Sequence, residues 1–187
     1  MPVTSMHSDT EILTRTYLSP AGTLILGSCS GKLCLCDWAG RPSPGIVADR
    51  LRRILCATFR EGRSAITDSA VMQLEAYFAG ELTSFSLPLL TAGTRFQENV
   101  WRALASIPYG HTLSYRQLAE SVGNPAAVRA VANANRLNAI SIIIPCHRVI
   151  GSNGAPTGYA GGIAAKKLLL ELETSVSGKI EAGGIHH

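Results

Sequence analysis

Apolar residues fall into two rhythms along this chain, and they predict two differently built halves. In the first, Leu24–Cys29 and Leu33–Trp38 are apolar runs on either side of Ser30-Gly31, which predicts two strands around a turn. Arg41-Pro42-Ser43-Pro44-Gly45 predicts a loop. Val47, Leu51, Ile54 and Leu55 recur at helical spacing within 46–59, with Arg50, Arg52 and Arg53 outside and Cys56 on the core spacing. A loop is expected over 60–64. Thr67 or Asp68 is then expected to cap a helix whose stripe is Val71, Leu74 and Phe78 and which Gly80 closes. Phe85–Leu90 reads as a last strand or as the linker between the two halves.

The second half predicts short helices. Thr94 with Gln97 has the spacing of a capping box, ahead of a stripe of Phe96, Val100, Trp101 and Leu104. Ile107-Pro108-Tyr109-Gly110 ends that helix. Ser114 with Gln117 opens the next, followed by Tyr115, Leu118, Ala119 and Val122, and Gly123 stops it. Asn124 is expected as N-cap with Pro125 at the first helical position, and a third helix runs to about Arg136. Helix, glycine turn, helix is the helix-turn-helix outline. At about 100° per residue, Val128, Val131 and Asn135 share one side of the third helix. Arg129, Asn133 and Arg136 share another, beside Ala126, Ala130 and Ala134. That face is cationic and otherwise made of small residues, which suits close approach to a groove; an ordinary solvated helix face has the same pattern.

With 187 residues and 46% hydrophobic content, the chain can bury a real core. No run of about 18 apolar residues is present to span a membrane, and residues 1–19 lack the cationic start and apolar stretch of a secretory signal. Five cysteines at spacings that do not pair up suit a reducing interior: the cytoplasm, or the nucleus in a eukaryote. Net charge is +4, and its placement is informative. Residues 1–93 carry eight Lys/Arg and eight Asp/Glu, whereas 94–175 carry eight basic and four acidic residues. The whole excess lies in the second half, which points to a polyanionic partner there.

The densest chemistry is Ile144-Pro145-Cys146-His147-Arg148-Val149. A thiolate, not a thiol, is the nucleophile, so a reactive cysteine needs a neighbouring base or cation. A lone cysteine is more often a small core residue, but polar neighbours and the turn glycines Gly151 and Gly154 favour reactivity. Ile142–Ile144 is expected to be a buried strand with the cysteine at its end, and Pro145 fixes one dihedral beside it.

These residues resemble those of the methylated-DNA–protein-cysteine methyltransferases. Pro145-Cys146-His147-Arg148-Val149 is similar to that family's active-site motif. Tyr77-Phe78-Ala79-Gly80-Glu81-Leu82, Gly93-Thr94, Phe96-Gln97, Val100-Trp101, Ile107-Pro108-Tyr109-Gly110, Ser114-Tyr115, Gln117-Leu118-Ala119, Arg129-Ala130-Val131, Asn138, Gly158-Tyr159, Gly161-Gly162, Lys166 and Leu169-Leu170 fit in the same order. The likeness is close over 93–173 and loose over 14–90. It implies a ribonuclease-H-like α/β domain over residues 1–90 and a mainly α, winged-helix-like domain with the helix-turn-helix over 91–175. Residues 176–187 are then a tail.

The resemblance also implies a reaction: one-time transfer of an alkyl group from O6-alkylguanine, with O4-alkylthymine a further substrate, to Cys146. His147 would take the thiol proton through a water, with Glu173 orienting it. Tyr115 would donate to guanine N3, and Asn138 would hold the turn around the sulfur. Carbonyls of Cys146 and Val149 would accept from the base's amine, the Ala160 N–H would donate to O6, and Tyr159 would flank the base. Duplex DNA would be met in the minor groove, independently of sequence, by the face carrying Arg129, Ala130, Asn133 and Arg136, with Arg129 filling the gap of a flipped nucleotide. Asn133 is bulkier there than is usual in the family, and Ala139 stands where many members have proline. Glu173, just past Leu168-Leu169-Leu170, would otherwise read as a surface residue, and Lys166 and Lys167 as phosphate contacts or a solvated face. A monomer without cofactor is implied. Cys29 and Cys34 align with two ligands of a structural zinc found in some members, but His7 is the only loose further candidate, so packing thiols are expected. Rival classes are a cysteine hydrolase, which would turn over repeatedly, a transcription regulator, which would not need Cys146, and a lesion sensor, which would lack it.

Overall fold

The structure is a computed structural model that describes residues 10–43 and 45–183. Its first half is built on a four-stranded sheet in the order β3-β2-β1-β4. The strands are β1 (Thr10–Ser19), β2 (Gly22–Cys29), β3 (Lys32–Trp38) and β4 (Ala57–Glu61), with antiparallel β1–β2 and β2–β3 pairs and a parallel β1–β4 pair. Helix α1 (Gly45–Leu55) leads into β4, and α2 (Ala65–Phe78) packs on β1, β2 and β3. Two of these strands escape the sequence pattern. β1 is a polar-rich alternation in which only Ile12 is fully buried. β4 takes residues assigned to a helix and a loop, because α1 ends at Leu55 and Cys56 turns to φ +47°. Cys56 is exposed, not part of the core. The cap of α2 is Ser64, with Thr67 as the third residue of a reciprocal capping box, not the cap itself.

The second half is helical: α3 (Arg95–Ala105), α4 (Tyr115–Ser121), α5 (Val128–Arg136) and α6 (Gly162–Gly183). A two-stranded parallel pair joins β5 (Leu113–Ser114) to β6 (Val149–Ile150). The capping boxes at Thr94/Gln97 and Ser114/Gln117 both form. Asn124 makes no side-chain cap, and Pro125–Ala127 is a separate 3-10 turn before α5. The 175/176 boundary falls inside α6, which runs through it to Gly183. No described helix is long and apolar enough to cross a membrane.

What positions the site is the outer edge of β3. An unpaired edge leaves backbone donors and acceptors unmet. Here two segments cover it. Leu33 N–H donates to Pro88 O and Leu90 N–H to Leu33 O, each at 2.8 Å, so Phe85–Leu90 contributes one bridge rather than a strand. Further along, Cys36 N–H donates to Ala139 O at 2.8 Å and Ser141 N–H to Cys36 O at 2.7 Å. The segment leading to Cys146 is thus docked onto the sheet of the other half.

Candidate active site

Residues 138–145 form a tight turn, not the strand that the isoleucines suggested. Burial on all sides gives an apolar run in either case, and periodicity cannot separate them. Ile142 is buried at φ +71°, unusual for a β-branched residue; such backbone costs on the order of 1–3 kcal/mol. Asn138 replaces the missing strand neighbour. Its Nδ2 donates to Ile144 O at 2.8 Å, and its Oδ1 accepts from Ile140 N–H at 3.0 Å. Arg41, from the loop after β3, braces the same turn. Its Nη2 donates to Asn138 O at 3.0 Å, its Nη1 to Arg136 O at 2.9 Å, and its Nε pairs with Asp37. Sequence reasoning missed Arg41, because nothing local marks a loop arginine as buried.

Cys146 opens a 3-10 turn, Cys146–Arg148, and is 3% exposed. Burial pushes its thiol pKa up; the Asn138 amide and the Lys166 and Arg41 cations oppose this only in part. The sulfur therefore rests protonated and needs a base. His147 is fully buried, and burial lowers its pKa despite Glu173 beside it. Glu173, with its carboxyl lowered to about 2, is ionised and can only accept. The 2.7 Å bond between His147 Nε2 and Glu173 Oε1 therefore places the imidazole proton on Nε2. His147 Nδ1, buried and without a partner among the described residues, is left as the basic nitrogen.

Glu173 is 1% exposed, far from the surface residue its position suggested. Five donors converge on it: Tyr77 Oη at 2.8 Å and His147 Nε2 at 2.7 Å on Oε1, Gly110 N–H at 3.1 Å on Oε2, and Arg148 through Nη2 at 3.0 Å and Nε at 2.8 Å. Arg148 also reaches Ile107 O and lies over the Tyr109 ring. Tyr77 and Arg148 were not foreseen in these roles. A tyrosine on the core side of α2 needs a polar partner for its hydroxyl, which is a usable signal. Helical spacing also puts Lys166, Leu169 and Glu173 on one stripe of α6. Lys166 is indeed fully buried, neither a phosphate contact nor a solvated residue. Its Nζ donates to the carbonyls of Val149 and Thr157, at 2.5 and 2.8 Å, and burial lowers its pKa to about 8. Lys167 is exposed.

A cleft of about 630 Å³ adjoins this network, walled by Arg41–Ser43, Tyr115, Ala132, Asn133, Arg136 and Thr157–Ala160. Burial raises the pKa of two wall residues, Tyr115 and Tyr159, and a thiolate at Cys146 would raise each further. Thr157 and Asn135 offset part of the rise at Tyr115. Tyr159 stands edge-on to Trp38 and His147. Val149 is fully buried, and one lone pair of its carbonyl holds Lys166. Arg129, Ala130, Asn133 and Arg136 all lie on the exposed face of α5, which runs into the cleft mouth. Ala134 does not; it is buried, and its carbonyl takes the Trp101 indole N–H at 2.9 Å.

Cys29, Cys34 and Cys36 are buried free thiols, and burial raises Cys34 to about 12. Among the described residues no group of His, Cys, Asp or Glu could hold a metal ion, and His7 lies outside them.

Residues 95–175 match the profile of the 6-O-methylguanine DNA methyltransferase DNA-binding domain. The chain is 53% identical over 129 residues to the methylated-DNA–protein-cysteine methyltransferase of Mycobacterium tuberculosis, covering 66% of this chain and 78% of that one. It is 58% identical over 106 residues to the Methanosarcina acetivorans protein of the same name, covering 57% and 68% respectively. Among solved structures, Mycobacterium tuberculosis OGT in complex with DNA superposes with a TM-score of 0.76 at 45% identity, over 87% of this chain and 93% of that one.

Proposed function

The chain belongs to the methylated-DNA–protein-cysteine methyltransferase family, and from that premise we propose how its own residues perform the transfer. The activity is DNA repair in which an alkyl group moves from a damaged base to a protein cysteine. In our reading Cys146 is the acceptor. His147 Nδ1 takes the thiol proton through a water, and Glu173 holds the imidazole with Nε2 protonated. The thiolate attacks the alkyl carbon of O6-alkylguanine; the S–C bond forms as the C–O6 bond breaks. The phenol of Tyr115 donates a proton to guanine N3, so the base leaves neutral, and the proton on His147 returns to Tyr115 through solvent. The product is a thioether, which water does not reverse, so each molecule acts once. O4-alkylthymine presents the same alkyl–oxygen bond and is a second substrate.

A lesion stacked in a duplex cannot reach a sulfur that is 3% exposed, so the nucleotide is rotated into the cleft at a cost of a few kcal/mol. Tyr159 flanks the base, the Ala160 N–H donates to O6, and carbonyls of Cys146 and Val149 accept from its amine. The exposed Arg129 occupies the gap. Ala130, Asn133 and Arg136 line the minor groove, so affinity depends on salt far more than on sequence. The described part of residues 1–90 forms a ribonuclease-H-like domain and 91–175 a winged-helix-like one, with α6 continuing beyond it; residues 1–9 lie outside the described residues. The protein acts as a cytoplasmic monomer, or a nuclear one in a eukaryote, without a cofactor.

One observation carries the reading: a thiol that rests protonated is followed by a neutral imidazole whose basic nitrogen has no partner among the described residues. The test is transfer of label from duplex DNA carrying labelled O6-methylguanine. Label should reach a plateau near one per protein, be absent in Cys146→Ser, and build up about 10²–10⁴-fold more slowly in His147→Gln. Continued turnover would make the protein a hydrolase, and binding without transfer a regulator or sensor.

A further inference from the structure

We propose that the sheet-bearing half takes part in the transfer reaction through Tyr77, which acts as a positioning residue that keeps His147 in its proton-accepting form. The proposal rests on His147 being the base. Tyr77 is fully buried on α2, and its hydroxyl donates to Glu173 Oε1 at 2.8 Å. This is the same oxygen that accepts from His147 Nε2. These two donors, with Arg148 Nη2 as a third, compete for the charge of one carboxylate oxygen. The phenol draws electron density from the side of Glu173 that faces the imidazole and weakens the attraction that would stabilise an imidazolium there. Arg148 does the same from the other side, binding both oxygens. The other ionisable groups around the pair are Lys166, Tyr109, Tyr159 and Cys146. Lys166 and Arg148 also disfavour an imidazolium, whereas the remaining three rest neutral.

The ring of Tyr77 is held independently of its hydroxyl. Phe78, Phe85 and Tyr109 pack around it at centroid distances of 5.4, 5.4 and 6.0 Å. Tyr77→Phe therefore keeps the packing and removes only the donor. Freed of the phenol, Oε1 carries more charge toward His147, and the imidazole holds its proton to higher pH. A protonated imidazole cannot take the thiol proton.

The decisive measurement is the single-turnover rate of alkyl transfer from O6-methylguanine DNA between pH 5 and 9. The Tyr77→Phe profile should have its acid limb displaced upward, giving a rate about threefold to tenfold lower than the parent's below pH 6, since one pH unit of displacement is tenfold there. Above pH 8 the two rates should agree within about twofold. A profile that superposes on the parent's, or one lowered by the same factor at every pH, would overturn the proposal and leave Tyr77 as a packing residue. Should Tyr77→Phe fold poorly, 3-fluorotyrosine placed at position 77 keeps the hydroxyl and makes it a stronger donor; its acid limb should move down, and an unmoved limb counts against the idea. His147→Gln separates the two layers. If that variant transfers at the parental rate, the base assignment itself is wrong. If it is slow while both Tyr77 profiles are unshifted, only the role of Tyr77 is lost.

Discussion

Arg41, from the sheet half, and His147, from the helical half, are both buried, yet they are finished differently. Every guanidinium nitrogen of Arg41 is engaged, on Asp37 and on the carbonyls of Arg136 and Asn138. His147 keeps Nδ1 without a partner among the described residues. A buried polar atom left unmade costs about 1–3 kcal/mol, and His147 Nδ1 is an orphan that follows Cys146 directly in the chain. The sheet half sends two hydrogen-bonded side chains across the seam, Arg41 to the turn and Tyr77 to Glu173, and packs Trp38 against Tyr159 and Gly161. The helical half receives them and leaves His147 Nδ1 open among the described residues. The first half is a jig, and in the proposed reaction the reactive atoms stand in the second.

The sharpest way to break that contrast is Glu173→Gln. The amide can neither accept all five donors nor balance Arg148, so transfer should slow by about 10²-fold or more, and stability should drop by about 3–5 kcal/mol as a buried cation loses its partner. Single-turnover assays and urea unfolding read the two effects; a variant within twofold of the parent would remove Glu173 from the chemistry. Arg41→Leu strikes the jig instead. It strands the buried Asp37 and frees the carbonyls at Arg136 and Asn138, so unfolding free energy should fall by about 3 kcal/mol, measured in urea; an unchanged midpoint would mean that the seam does not depend on Arg41. A pH series tests the same network more gently. Glu173 has its folded pKa depressed from the usual 4.5 to about 2, so its contribution is full above pH 4.5 and disappears as pH falls toward 2. The lowered His147 adds a loss that starts as pH drops through its unfolded value near 6.5. Urea midpoints should therefore decline from pH 7 to pH 3, and Glu173→Gln should lose the lower part of that decline. Smallest is Arg129→Ala. Binding to undamaged duplex should weaken a few-fold, with the slope of log affinity against log salt shallower by about one. An unchanged slope would take Arg129 off the DNA face.

Much was written in local sequence. The capping boxes at Thr94 and Ser114, the turn glycines and the small cationic face of α5 each depend on residues within a few positions of one another. The Pro145–Val149 motif and its place after an apolar run were equally local, as was the charge excess of residues 94–175. These features need only covalent neighbours and a period, so a linear reading finds them.

What only the tertiary structure decided are the pairings between residues far apart in sequence. β1 and β4 exist because of their pairings, β1 with β2 and β4 with β1; neither has a strong pattern of its own. Ile142–Ile144 became a turn because Asn138 holds Ile144 O and the edge of β3 pairs with the preceding Ala139 and Ser141. Glu173, Tyr77 and Gly110 meet across more than sixty residues of chain, and Lys166 leaves solvent for two carbonyls. Sequence named the sulfur and its imidazole. The state of that imidazole, neutral and open at one nitrogen, was set by burial and by an anion delivered from another helix, and neither exists until the chain has folded.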